Sequence, residues 1–323
     1  MIGEVLSGLD FDSAYRLARE LSGMSEVEIA AVLAALEGRG YGADVIAGFV
    51  KGVVEDVSVD LGKVADTCGT GGDGAGTINV STAVAIALST LHPVAKHGNR
   101  SISSKSGSAD VLEALGVDIE MKPEKARRMI ERTNFAFLYA PLYHTRFAKV
   151  AGVRRELRIR TIFNIAGPLS NPANPVAQLV GVADERLLMD VAEALDAMGR
   201  RGVVVHGSGI DEVHPGRESI VAIVGNGIDV LTLTPADFGV ESTKLLQCRN
   251  SVESAERIRA VFSGRGCKED TNLIAVNFAA AMYAVGYEDL RENVEIFFEK
   301  VENGEFTRKL EEIVCKSTST SNQ

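Results

Sequence analysis

Apolar residues recur at three- to four-residue spacing over positions 11–21, 26–36 and 43–53, which predicts amphipathic helices in the N-terminal part of the chain. Asp12 and Ser25 are placed to cap the first two of these, with Gly38 and Gly40 as stops. Such short helices cannot each bury a face alone, so a bundle or a partner subunit is expected. From about residue 63 the period changes. Short β-type runs at 63–66, 93–96, 135–139, 178–182 and 202–206 alternate with helical patterns at 81–91, 109–115 and 185–198. That alternation predicts an α/β domain with a mostly parallel central sheet flanked by helices. Runs 219–224 and 228–233, joined through Gly225-Asn226-Gly227, read as a hairpin at a sheet edge. Helical patterns return at 253–262, 273–285 and 289–302, and the polar tail 317–323 reads as disordered. The expected organisation is a small helical domain, 1–62, and an α/β domain, 63–323. No internal repeat is visible.

Composition narrows the function classes. The chain has 323 residues, 46% of them hydrophobic, enough for a sizeable core. No apolar run reaches the ~18–20 residues of a membrane span. The N-terminus, Met1-Ile2-Gly3-Glu4, lacks the basic start and apolar stretch of an export signal, so a cytoplasmic protein is expected. Cys68, Cys248, Cys267 and Cys315 are scattered without the pairing of a zinc site or disulfide framework. The net charge of −10 disfavours the extended basic surface that nucleic-acid binding needs. A small phosphorylated substrate, held in one pocket, is compatible.

Four segments carry chemistry. Asp66 begins D-T-C-G-T-G-G-D-G-A-G-T-I-N-V-S-T, a strand running into five glycines between positions 69 and 76 and then into a helix. Glycines let several N–H groups converge on phosphate oxygens. Ser81 and Thr82 lie where the helix begins and could cap it, ligate a metal or bind phosphate. A sharp strand-to-helix turn shares this texture. The segment matches neither G-x-x-x-x-G-K-[ST] nor a dinucleotide fingerprint, because His92 and Lys96 stand where the distal acidic residue would fall. The second segment, Lys96-His97-Gly98-Asn99-Arg100 through Ser108, packs cations and serines after a short strand. Strand C-termini are where α/β sheets bind ligands, although a solvated loop would look similar. The third, Val205-His206-Gly207 to Asp211-Glu212, ends in adjacent carboxylates suited to Mg²⁺, or to a bare surface. In the fourth, the spacing of His144, Phe147, Arg154 and Arg158 allows one shared helix face. An arginine beside an aromatic surface would suit a planar carboxylate; a basic solvent-facing helix is the plain alternative.

Together, D-T-C-G-T-G-G-D-G with N-V-S-T, K-H-G-N-R-S-I-S-S-K-S-G-S, R-T-I-F-N-I-A-G-P-L-S-N-P (160–172) and V-H-G…D-E resemble the anthranilate phosphoribosyltransferase family of tryptophan biosynthesis. The likeness covers nearly the whole chain. It implies that helices from about 143–175 join the small helical domain, which forms a homodimer. The substrates it implies are 5-phosphoribosyl-1-pyrophosphate (PRPP) and anthranilate, with Mg²⁺, two ions per active site, and neither nucleic acid nor membrane as partner. It implies PRPP contacts from Gly69, Gly72, Asp73, Thr77, Asn79, Val80, Ser81, Thr82, Lys96, His97, Gly98, Asn99, Arg100, Ser101, Ile102, Ser103, Ser104 and Ser108. It implies anthranilate contacts from Gly69, Asn99, His97, His144 and Arg154, metal ligands Ser81, Asp211 and Glu212, and no covalent nucleophile. Thr145, Arg158 and Ala166 depart from the usual Pro, Gly and Leu of the family. Two other readings share the fold: a pyrimidine nucleoside phosphorylase, which would use free phosphate, and a non-catalytic nucleic-acid-binding relative.

Overall fold

The structure, a computed structural model, describes residues 2–100 and 106–319. It opens with α1 (Ile2–Ser7), α2 (Phe11–Glu20), α3 (Glu26–Arg39) and α4 (Ala43–Val54). Asp10, not Asp12, caps α2, accepting the Ser13 N–H; Asp12 already lies in the first turn. Ser25 caps α3 in a reciprocal box with Glu28, and Gly40, not Gly38, ends it, at φ 81°.

Strands and helices then alternate. The order is β1 (Ala65–Gly69), α5 (Val80–Leu88), β2 (Val94–Gly98), α6 (Ser108–Ala114), α7 (Pro123–Thr133), β3 (Phe135–Tyr139), α8 (Ala140–Tyr143), α9 (Ala148–Leu157) and α10 (Phe163–Leu169). Next come β4 (Ala177–Gly181), α11 (Leu188–Ala197), β5 (Arg201–His206), β6 (Ser219–Gly225) and β7 (Gly227–Leu233). Four helices close the chain: α12 (Ser251–Phe262), α13 (Lys268–Ala284), α14 (Leu290–Glu302) and α15 (Glu305–Ser319). Residues 317–319, expected to be disordered, are therefore helical. Ser317 is buried, and its Oγ accepts the Asp118 N–H at 3.1 Å.

The sheet order is β3-β2-β1-β4-β5-β6-β7. Strands β1 to β5 pair in parallel, and β6 and β7 add an antiparallel edge, the predicted hairpin. The period-2 pattern divides the core. Leu179, Val203, Val205 and Val221 face one cluster, with α5, α13 and the C-terminal helices. Val180, Val204, Ala222 and Val224 face the other, with α2, α4 and α11. Burial on both faces is what a parallel sheet requires.

The strand order reverses between parallel neighbours β1 and β4, whose connections run to opposite halves of the sheet, so a crevice opens beyond their C-terminal ends. The last residues of the two strands, Gly69 and Gly181, are register partners. A Cβ on Gly69 would overlap the Asp211 carboxylate, and one on Gly181 the Asp211 backbone. These glycines let the segment carrying Asp211 lie directly over the switch point.

Gly181→Ala should therefore cost about 3 kcal/mol or more, because the Cβ meets rigid backbone. Gly38→Ala, with open space around it in α3, should be neutral or slightly stabilising. Denaturant unfolding of both variants checks the contrast.

Candidate active site

A cleft of about 1020 Å³ occupies this crevice. The loop after β1 forms its near wall, with Gly71, Gly72, Gly74 and Gly76 all at positive φ. The loop is tied down at three points. Gly71 N–H donates to Asp211 Oδ2 at 2.7 Å, Thr70 N–H to Gly181 O at 2.9 Å, and Asn79 N–H to Ser254 Oγ at 2.9 Å. Asn79, rather than Ser81 or Thr82, caps α5, its Oδ1 accepting the Thr82 N–H at 3.0 Å. Its amide also donates to Ser106 O at 3.2 Å, joining the glycine loop to the second polar segment.

Lys96, in the middle of β2, is almost fully buried, and its Nζ donates to Thr67 O at 2.8 Å and Ser81 Oγ at 3.1 Å. Burial lowers its pKa, and the carboxylate of Asp66 opposes that shift. Burial likewise raises the pKa of Asp66, which Lys96 and Asn171 hold down. Asp66 accepts from Asn171 Nδ2 at 2.9 Å, and Asn171 also reaches Ala95 O at 2.7 Å. Arg200, in turn, donates to Gln178 Oε1 and Leu169 O, each at 2.8 Å. A buried polar web thus lies under the cleft and fixes the Lys96 ammonium beside the α5 N-terminus.

An acidic cluster joins the glycine loop to the segment after β5. One carboxylate oxygen from each of Asp73, Asp211 and Glu212 lies within 4.8 Å of the others. Burial, then the neighbouring Asp73, pushes Asp211 up to about 6. Burial, then the neighbouring Asp211, raises Glu212 well above its ordinary range, and its Oε2 is buried without a hydrogen-bond partner among the described residues. Asn277 of α13 holds this segment, accepting the Val213 N–H at 2.8 Å and donating to Val213 O at 3.0 Å. Three converging carboxylates with an orphaned oxygen fit a hard divalent cation.

The far end is aromatic and basic. Arg154 stacks over the Phe163 ring at 5.2 Å, and its Nη2 donates to Asn164 Oδ1 at 3.2 Å. Burial lowers its pKa, with no carboxylate acting in the other direction. His97 and His144 meet edge to face, ring centroids 5.2 Å apart, and His144 Nε2 lies 3.0 Å from Ser170 O. His97 Nε2 and His144 Nδ1 are buried without hydrogen-bond partners. Helix α9 is seated on the N-terminal layer from its start. Lys149 donates to Ser22 O and Met24 O at 3.2 and 2.9 Å, and Arg146 binds Asp56 at 2.9 Å and caps the Gly52 carbonyl of α4.

The cleft gathers nearly all the residues named from sequence. Gly69, Gly72, Asp73, Thr77, Asn79, Val80, Ser81, Lys96, His97, Gly98, Asn99, Arg100 and Ser108 line it, with His144, Arg154, Asp211 and Glu212. Thr82 does not; its side chain is fully buried inside the α5 packing. Ser101, Ile102, Ser103 and Ser104 lie outside the described residues. The Arg100 guanidinium is engaged by Glu113 Oε1 at 2.7 Å and Asp110 Oδ1 at 3.0 Å. His144 and Arg154 do not share a helix, since α8 ends at Tyr143, a 3₁₀ turn follows, and α9 starts at Ala148. Arg158 closes α9 in the left-handed region, φ 53°, instead of continuing its face. Sequence reasoning missed Asp73 as a third acid in the cluster, the web around Asp66, and the Asn277 clamp.

Comparison with known proteins places these features in a family context. Residues 61–306 match the glycosyl transferase family, a/b domain. The tryptophan biosynthesis protein TrpCD of Archaeoglobus fulgidus is 67% identical over 99% of this chain, which spans 58% of that relative's length. Anthranilate phosphoribosyltransferase of Pyrococcus abyssi is 53% identical over 96% of this chain and 97% of its own. The crystal structure of anthranilate phosphoribosyltransferase (TrpD) from Thermus thermophilus superposes with a TM-score of 0.92, at 38% identity, covering 98% of this chain and 99% of that one. The Saccharomyces cerevisiae enzyme in complex with PRPP and Mg superposes at 0.86, with 27% identity over 98% of this chain and 94% of its own.

The histidine pair generates a pH prediction. His144 titrates near 6.5 in an unfolded chain, and burial lowers it to about 4 in the fold. The unfolded state therefore binds the proton first, and this contribution to stability is present above pH 6.5 and lost as pH falls toward 4. The loss should reach about 2–3 kcal/mol at the lower end. Thermal unfolding between pH 7 and 4 should show a shallower decline for His144→Gln than for the wild type; parallel curves would contradict it.

Proposed function

This chain belongs to the anthranilate phosphoribosyltransferases, and on that premise we propose that it transfers the 5-phosphoribosyl group of PRPP to the amine of anthranilate. The products are N-(5-phosphoribosyl)anthranilate and pyrophosphate, the second step of tryptophan biosynthesis from chorismate. One observation carries the reading: a single cleft holds an N–H cradle with a buried ammonium, a cluster of three carboxylates, and a half-buried arginine on an aromatic face.

The first two features suit a phosphorylated, metal-associated donor. The glycine loop, Asn79, Lys96 and Ser108 would hold its phosphates through N–H groups, a point charge and hydroxyls. Asp73, Asp211 and Glu212, with Ser81, would hold Mg²⁺. Its chemistry there is to neutralise charge on the pyrophosphate. Two ions are proposed, since three carboxylates plus a pyrophosphate carry more negative charge than one divalent ion offsets. Arg154, lacking an acidic partner, would take the acceptor carboxylate and so orient the amine, with Asn99, His97 and His144 along its path.

The C1–oxygen bond to pyrophosphate breaks with its electron pair on the leaving group, and C1 develops oxocarbenium character. The amine lone pair forms the C1–N bond, and the nitrogen releases its proton to solvent. An aniline-type nitrogen carries a neutral lone pair, so the step asks for neither a strong general base nor a covalent nucleophile. The contribution of the protein is position and charge stabilisation.

We also propose a cytoplasmic homodimer through the helical layer. Ile2, Leu6 and Val27 on α1 and α3 are exposed, Val27 by 79%. Among the described residues no helix is long and apolar enough to cross a membrane.

The direct assay is PRPP-dependent loss of anthranilate fluorescence with and without Mg²⁺. Phosphorolysis of a pyrimidine nucleoside without PRPP turnover would overturn the proposal. Arg154→Ala should raise the anthranilate KM at least tenfold, about the 1.5–3 kcal/mol of a charged hydrogen bond, and leave the PRPP KM within about twofold. Equal damage to both would count against the role of Arg154. Asp211→Asn combined with Glu212→Gln should move the Mg²⁺ titration midpoint by more than about tenfold; an unmoved midpoint would remove the metal assignment.

A further inference from the structure

Beyond Arg154, the cleft wall continues through Arg155, Arg158 and Arg160, all exposed and all lining the cleft mouth. Arg186 and Arg249 are exposed but paired, with Asp184 at 2.7 Å and Glu253 at 2.6 Å, while exposed Arg127, Arg128, Arg132 and Arg217 make no ion pair among the described residues and lie away from the cleft. Among the described residues, Arg155 and Arg158 have no such ion pair. Arg160 acts weakly on Asp184, whose low pKa owes more to Arg186. The one acid in this stretch, Glu156, is exposed.

Arg158 is also conformationally out of place. It sits at φ 53° and ψ 29°, and its N–H donates to Arg154 O at 3.2 Å to end α9. Glycine would make the same bond without crowding a Cβ against the backbone. Positive charge at a helix C-terminus is favourable in itself, but lysines or arginines earlier in the last turn supply that without backbone strain. The strained position adds a location, namely an unpaired cation at the rim of a cleft in a chain of net charge −10.

We propose that Arg158, flanked by Arg155 and Arg160, forms a cationic collar that attracts the acceptor carboxylate and hands it to Arg154. This rests on the acceptor reading above. A mouth of one sign with low-dielectric walls focuses its field and concentrates the opposite ion against the repulsion of the rest of the protein. The collar flanks Arg154 and Phe163 at the end of the cleft away from the glycine loop and the carboxylates, so its contribution falls chiefly on the acid bound there.

The test is steady-state kinetics of Arg158→Gly and Arg158→Lys at two ionic strengths. At about 20 mM salt, Arg158→Gly should raise the anthranilate KM about three- to tenfold, with kcat and the PRPP KM within about twofold. At about 0.5 M salt, where the screening length falls to roughly 4 Å, the difference should vanish. Arg158→Lys should restore the low-salt KM. Arg158→Gly should melt no lower than the wild type, whereas a purely helix-terminal role predicts a lower melting temperature with an unchanged KM. An unchanged low-salt KM, a defect that persists at high salt, or one that Lys fails to repair would each overturn the collar. Wild-type protein without any PRPP-dependent anthranilate turnover would instead overturn the parent reading, so the two failures are distinguishable.

Discussion

The arrangement depends on one close approach: the backbone at Asp211 lies over the ends of β1 and β4, against Gly69 and Gly181. The chain leaves those parallel strands toward opposite halves of the sheet, and without side chains at their last residues the crevice between them can be crossed by another segment. The crossing brings Asp211 and Glu212 opposite the glycine loop, where the Gly71 N–H binds Asp211. Nearly every other feature of the cleft is arranged around this contact. Asn277 fixes the segment from one side, and the loop returns from the other.

The cleft keeps opposite charges apart. Lys96 and its web occupy the wall formed by β2, while Asp211 and Glu212 lie on the segment after β5, facing Asp73 of the glycine loop. Lys96, Asp211 and Glu212 are each shifted by burial in the direction that disfavours their charge. An electrostatically unfinished pair of walls suits a ligand that carries anionic phosphates toward the first and cations toward the second. Arg154 repeats the logic on a smaller scale. Its side chain is stacked and hydrogen-bonded, yet among the described residues no carboxylate neutralises it.

Much of this was legible along the chain because the signals are local. Phe135 to Tyr139 is an unbroken apolar run between polar residues and forms β3 at those bounds. The hairpin through Gly225-Asn226-Gly227 could be read from its turn. Misreadings came where local cues compete. Asp10 and Asp12 are both plausible caps, and only backbone geometry selects Asp10; Asn79 displaced Ser81 and Thr82 for the same reason. The end of α15 was hidden by its Ser/Thr-rich composition, although Phe306, Leu310 and Ile313 carry the helical spacing just before it. The remaining misses are long-range. Asp73 joins Asp211 from 138 positions away, and Asp66 meets Asn171 and Gln178 more than a hundred residues away. No window of sequence contains those encounters.

The seating of α9 on the N-terminal helices has a thermodynamic consequence. Lys149 and Arg146 fasten the helix that carries Arg154 to the backbone of α4 and of the turn after α2. On the proposed acceptor role of Arg154, occupancy of its site and cohesion of the helical layer are linked equilibria. Whatever factor a ligand on Arg154 gains from a well-seated α9, it returns as added cohesion between the layers. A change on the outer helices that loosens that seam is therefore felt as weaker acceptor binding, without touching the cleft.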